Sequence, residues 1–334
     1  MSKFARSADA SHRLSLAAME EASRVGLRTA DIEHLLLALT IDRDDAGRTL
    51  RSLGLTLQAA RAGIAAQHAA QLAGVGVSVH EPEEGRIVFH ETEGYEWSDR
   101  AQRIFTSANA RGKSGDAVAV LVELLAEPSG FIEAILLESG VSREAIERDL
   151  GSRGDTGKTS PDLGVSRRSS SALAGTTEGF VPAQIAEVWA LLADPARMPE
   201  WQLSVASVEH SENGATWRAR ATTTRPDGTP LNVGEAFHRL SIELLERDPD
   251  RRIVWRLSFP DAPRANTRTI DLRLEPEGDG TRLRIAFAWD RSTAHAQRRN
   301  LLRSLVGVLL RPAHRFIIWV QLSQLVSSIS RVFR

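Results

Sequence analysis

The chain has 334 residues, which at roughly 100–200 residues per domain suggests two domains, each able to bury a core. Its residues are 42% hydrophobic and 25% charged with a net charge of -1, the balance of a globular protein with no overall basic excess to attract nucleic acid. Cysteine is absent, which excludes disulfides, thiol nucleophiles and cysteine-ligated metals. The opening residues 1–13 lack the apolar core of a signal peptide, so a cytosolic location is expected.

Charge and aromatics both divide the chain. Residues 1–150 carry 16 Lys and Arg against 23 Asp and Glu, whereas residues 172–334 carry 22 against 18. Six of the seven tryptophans lie after residue 180, so the two interiors are built differently.

From Leu14 to Ile64 the apolar period is helical, broken at Gly26 to Ala30 and at Asp42 to Asp45. Ile32, Leu35, Leu36 and Leu39 share one helix face, with Asp31 or Thr29 able to cap its start. A further helix carries Leu50 and Leu53 and ends at Gly54, where glycine suits the left-handed closing position. A shift of 86 residues lays Leu121 on Leu35, Leu125 on Leu39, Leu136 on Leu50 and Gly140 on Gly54. A duplicated all-α unit is therefore expected over residues 1–150. The runs MEEASRVGLRTADIEHLLLAL and RTLRSLGLTLQAARAGI resemble the amino-terminal repeat domain of the Clp unfoldases, and WSDRAQRIFTSA resembles the opening of its second copy. Copy two departs where Ala119 and Val120 stand in place of Glu33 and His34. The resemblance implies docking of a protein partner, an adaptor or client, with no chemistry of its own.

Between the copies, residues 75–92 alternate apolar and polar residues around Glu81 to Gly85, which predicts a β-hairpin insertion. His80 and His90 fall there, but a solvated acidic loop is the simpler reading, and no metal site is expected. His34 has no second histidine or carboxylate cluster at ligand spacing on its helix, so a structural role is expected. Residues 151–171, rich in Gly and Ser, read as a flexible linker. Their GDTGKTS stretch imitates a phosphate-binding loop, yet Ser152 stands where the first glycine belongs and no strand precedes it. No nucleotide site, ATPase module or cofactor is expected.

Residues 172–334 begin with a predicted strand, Leu173 to Val181. A helix follows, with Pro182 in its first turn and Ile185, Val188, Trp189 and Leu192 on its apolar face. After Trp201 the period becomes two. Trp217, Ala219 and Ala221 share a phase, as do Ile253, Trp255, Leu257 and Phe259, then Ile270, Leu272 and Leu274, then Leu283, Ile285, Phe287 and Trp289. Antiparallel strands with one apolar face are expected, turning at Pro226 to Gly228, Asp248 to Arg251 and Glu277 to Gly280. Residues 297–333 form an amphipathic helix candidate, interrupted at Pro312 and free of acidic residues. Trp319 and Ile329 are expected on its apolar line, with Gln321 and Ser328 opposite. Arg303, Arg311 and Arg315 cut the apolar run below the ~20 residues that a bilayer crossing needs.

The order of strand, two short helices, about six strands and long helix resembles the START-like (SRPBCC) helix-grip superfamily, and VPAQIAEVWALLADPARMPEW resembles its opening. The resemblance implies an α+β fold with an apolar cavity between sheet and long helix. Trp217, Glu235, Phe237, Trp255, Phe287, Trp289, Phe316 and Trp319 are the candidate lining. Glu235 and His238 fall in opposite phases about Gly234, which suggests a bend turning both into the pocket. The leading expectation is a non-catalytic protein that binds a small hydrophobic molecule, lipid or polyketide-like, and a protein partner through residues 1–150. A polyketide cyclase or dehydratase using Glu235 and His238 as acid and base, and lipid transfer with membrane contact by the basic end, are the alternatives.

Overall fold

The 86-residue repeat is present in the backbone. The computed structural model describes residues 3–74, 87, 95–155, 173–209, 214–225, 228–290 and 311–334, and the chain divides after Ser160 into two units. In the first, helices α1 (Lys3–Arg24), α2 (Ile32–Thr40), α3 (Asp45–Ser52) and α4 (Leu57–Gly74) are followed by α5 (Asp99–Ala108), α6 (Ala117–Leu125), α7 (Phe131–Glu138) and α8 (Arg143–Asp155). The 86-residue step carries the start of α3 to that of α7, and the start of α4 to that of α8. Gly54 and Gly140, at φ +91 and +70, close the matching helices α3 and α7 in the left-handed conformation that glycine adopts without strain. Asp31 caps α2, and the Asp116 carboxylate caps α6 by accepting from the Ala119 N–H at 3.1 Å.

Leu14, Leu35, Leu39, Leu50, Leu121 and Ile135 belong to one core shared by both copies. A short parallel pairing of β1 (Thr29–Ala30) with β2 (Glu96–Trp97) ties the copies together. Asp31 extends the tie by accepting from Ser98 and Arg100 of the second copy. Several boundaries differ from the sequence reading. Helix α1 starts at Lys3, well before Leu14, because Ala10, Leu14, Ala18 and Ala22 continue one buried stripe. Helix α8 runs on to Asp155, past the point at which the linker was expected to start. The rest of that linker and nearly all of the expected hairpin, with His80 and His90, lie outside the described residues.

The second unit follows the expected order. Strand β3 (Leu173–Val181) leads to α9 (Ile185–Leu192) and α10 (Met198–Trp201). Then come β4 (Val205–Val208), β5 (Thr216–Ala221), β6 (Arg239–Asp248), β7 (Arg252–Ser258), β8 (Thr267–Glu277), β9 (Gly280–Asp290) and the last helix, α11 (Arg311–Arg331). The strands form one antiparallel sheet in the order β3-β9-β8-β7-β6-β5-β4. Pro182 precedes α9 and is not in its first turn; Gln184 and Glu187 make the capping box instead.

Helix α11 lies on β3 because that strand offers hydrogen atoms in place of side chains. A Cβ on Gly175 would come within 2.5 Å of Ile318 Cγ2, and one on Gly179 would collide with Val326. The buried line of α11 is Ile318, Leu322, Leu325 and Ile329. Trp319 sits half-buried beside it. Ser328, expected on the wet side, is buried and donates its hydroxyl to the Gln324 carbonyl at 2.7 Å, which satisfies it inside the helix. The interruption expected at Pro312 stands at the edge of the described residues, which resume at Arg311, the first described residue of α11. Among the described residues no helix is long and apolar enough to cross a membrane.

The Gly179→Ala variant is expected to lose about 1–3 kcal/mol, the usual cost of forcing a methyl into a closed contact. Thermal denaturation followed by circular dichroism would measure it, with Gly234→Ala as the check, since a Cβ there would meet only Phe237 Cδ2 at 3.8 Å.

Candidate functional site

The strand register sorts the second unit's side chains between two faces. Trp217 opposes Ile242, which opposes Leu257; Trp255 opposes Leu244 and Ile270; Phe287 opposes Ile270 and Gly175. These residues, with Trp289 and Phe259, share the core that Ile318 and Leu322 of α11 enter.

Burial along this inner face is graded. Its middle is closed: Trp255 is fully buried, donates its indole N–H to the Leu192 carbonyl at 3.1 Å, and meets Trp217 edge-on at 5.7 Å between ring centroids. Towards the end at which β6 and β8 begin and β7 and β9 finish, the face opens. Trp289 and Phe259 are half-buried there, and Phe237 is exposed. Phe237 meets Phe259 edge-on at 5.1 Å, and Phe287 meets Trp289 at 5.9 Å.

Trp217, Trp255, Phe287 and Trp289 are thus brought to one surface, and Phe237 reaches it through Phe259. Trp255 contributes to solid core. The Phe316 side chain lies outside the described residues. The bend expected near Gly234 exists as a 3-10 turn, Glu235–Phe237. It leaves Glu235 and His238 exposed, and the His238 Nε2 is held 3.0 Å from the Val233 carbonyl. An open depression of about 630 Å³ elsewhere in the unit, lined by Ile185, Pro249, Arg252 and Glu275 among others, contains none of the expected pocket residues.

One residue of the inner face escaped the sequence reading. Arg268 is two residues before Ile270 and therefore in phase with it, opposite Leu257 on β7 and Trp289 on β9. A charged residue in phase with Ile270, Leu272 and Leu274 was the available signal; it was missed because the strand was started at Ile270. The Arg268 guanidinium lies 5.5 Å from the Phe259 ring centroid, in range for a cation–π contact. Its Nη1 donates to the Ser204 hydroxyl at 3.3 Å, and that hydroxyl faces the Gln202 Oε1 at 3.4 Å. Desolvation pulls Arg268 below the ordinary guanidinium value.

In the first unit, His34 is buried, and its Nδ1 accepts the Asp31 N–H at 3.1 Å to complete a capping box on α2. Among the described residues no cluster of His, Asp and Glu suits a metal ion. Burial pushes His34 down to about 4, against the opposing pull of Glu21 and Asp31. An unfolded imidazole takes up its proton near ~6.5. The neutral form therefore stabilises the fold fully above that value, and the contribution is lost as pH falls between the two. The loss is on the order of 3 kcal/mol by linkage. His34→Gln keeps an acceptor for the Asp31 N–H and should flatten the fall in melting temperature between pH 6.5 and 4 relative to the native chain.

Residues 175–313 match a family model described as polyketide cyclase / dehydrase and lipid transport. The match spans the sheet from within β3 to β9 and ends at the start of α11, leaving the helical unit and most of α11 outside. Among solved structures, a protein from Chromobacterium violaceum is 19% identical, with 47% of this chain and 96% of that chain covered and a TM-score of 0.31. One from Thermus thermophilus is 19% identical over 48% and 97% of the two chains, with a TM-score of 0.33. A polyketide-cyclase-like protein from Corynebacterium glutamicum is 17% identical over 50% and 92%, with a TM-score of 0.31. Curated proteins gave no match.

Proposed function

We propose that residues 172–334 form a START-like helix-grip domain that binds a small hydrophobic molecule without transforming it. The observation that carries this reading is the inner face of the sheet, closed by Trp255 in its middle and half-open at Trp289, Phe259 and Phe237. A face of that kind removes an apolar ligand from water at one end while the rest of the core stays intact. The family description, polyketide cyclase / dehydrase and lipid transport, supports the same class of ligand. Binding is preferred to catalysis because Glu235 and His238 stand exposed on their turn. A general acid and base there would lack the enclosed surroundings that tune such groups.

The helical unit is read as a docking module for a protein partner, on its duplicated four-helix plan and its resemblance to the Clp amino-terminal repeat. Native mass spectrometry of the full chain tests the first part. A retained apolar molecule, or uptake of the neutral dye N-phenyl-1-naphthylamine with enhanced fluorescence, is expected; failure of both would remove the reading. For the second part, cross-linking of the full chain in a cell extract should enrich an unfoldase, adaptor or client over the second unit alone, and equal recovery would count against docking.

A further inference from the structure

Four arginines of this chain show how its guanidinium groups engage acids. Arg61, Arg197, Arg239 and Arg252 each present the Nε and Nη2 edge to one carboxylate, those of Glu21, Glu200, Asp261 and Asp271 respectively. Arg268 differs. Its Nη1 is occupied by Ser204, while among the described residues no carboxylate lies within ion-pair distance and its Nε and Nη2 edge makes no hydrogen bond. The stretch that follows strand β9 from this end of the sheet cannot supply the missing acid, since no Asp or Glu occurs after Asp290. Asp290 itself is turned to the other face, where it accepts the Thr269 hydroxyl at 3.0 Å.

A half-buried cation among Leu257, Phe259, Ile270 and Trp289 gives up part of its hydration and regains one hydrogen bond, from Ser204. The arrangement costs least when a ligand brings the anion. The planar fork of Arg matches two oxygens of one group, and a single cation balances a single negative charge. We infer that Arg268 is the head-group anchor of the inner face, and that the ligand is an amphiphile with an apolar body and one carboxylate or similar monoanionic oxygen pair. Ser204, backed by Gln202, holds the guanidinium by its Nη1 and leaves the Nε and Nη2 edge for the ligand. The apolar body then lies along Phe259, Trp289 and Phe287.

This inference rests on the hydrophobic-ligand reading, and one titration separates the two. N-phenyl-1-naphthylamine is bound to the full chain and displaced with dodecanoate or with dodecan-1-ol. Dodecanoate should displace at a concentration at least tenfold lower than the alcohol in the native chain. In Arg268→Met, which keeps the apolar stem, the ratio should fall to about one with dye binding retained; Arg268→Lys, with charge but no fork, should fall between. Dye binding with equal displacement by acid and alcohol in the native chain, or with the preference intact in Arg268→Met, would overturn the anchor and leave the apolar site standing. No dye binding by the native chain would remove both. A melting temperature within a few degrees of the native value shows that Arg268→Met is folded, and if it is not, Ser204→Ala provides the second variant, with a weakened acid preference expected and an unchanged one counting against the anchor.

Discussion

Trp255→Ala is expected to destabilise the sheet unit by about 3–5 kcal/mol, the usual cost of removing a large aromatic from a closed core. Two effects combine. The indole is wholly buried between Leu244 and Ile270 and against Trp217, so its loss leaves a void that neighbours on a paired sheet cannot close. The Leu192 carbonyl, which terminates α9, also loses its donor. Trp255→Phe separates the two effects, because it keeps most of the volume and removes the hydrogen bond, at about 1–2 kcal/mol. Urea denaturation followed by tryptophan fluorescence is the suitable measurement, since six of the seven tryptophans report on this unit. A shift of Trp255→Ala no larger than that of Trp255→Phe would mean that the face is already open at Trp255, and the closed middle of the site would have to be abandoned.

A comparable loss is expected in the helical unit from Arg13→Met. Arg13 reaches Asp42 from α1, with Nε at 3.1 Å and Nη2 at 3.0 Å, and also contacts Asp9 and Asp44. Three acids are gathered around one buried guanidinium. Arg43 would still hold Asp9 at 2.8 Å, but the nearly inaccessible Asp42 would keep its charge without its closest partner. Breaking a buried pair in this way costs about 3–5 kcal/mol. The pH dependence identifies the cause. Burial already raises Asp42 above the ordinary carboxylate value while Arg13 opposes the rise. Without Arg13 the folded state favours protonation further, so the penalty is greatest at neutral pH and is relieved as pH falls through the raised value. The difference in stability between Arg13→Met and the native chain should therefore shrink on acidification; a difference independent of pH would assign the loss to packing.

Where a local period determined the structure, the sequence was read correctly. Strand β3 begins and ends at the expected residues, and the two-residue alternation placed Trp217, Trp255, Phe287 and Trp289 on one face. The 86-residue step located the duplicated helices because Gly54 and Gly140 mark a backbone conformation and not merely a composition. What could not be read depended on partners distant in sequence. Ser328 looks polar, but a hydrogen bond within its own helix allows it to be buried. Pro182 looks like a first-turn residue, but Glu187 places the cap at Gln184. Arg268 looks like one of many solvated arginines, and only the register against Leu257 and Trp289 shows that it faces inward. The role proposed for Arg268 was therefore the least legible part, because its telling feature is that among the described residues its bond is to Ser204 and not to a carboxylate.

The pairing of β3 with β9 has a consequence for the order of assembly. Strands β4 to β9 each pair with a neighbour made just before or after them, so that meander can form from nearby contacts as the chain lengthens. Strand β3 is made first in its unit yet pairs Val181 with Thr281 and Leu173 with Trp289. Its bare glycine face is then covered by a helix that runs from residue 311 to 331. Such distant contacts must overcome a large loop-closure entropy before they return any energy. On a ribosome β3 therefore waits for at least a hundred residues, and its pairing with β9 and the covering by α11 come as one late event after the meander.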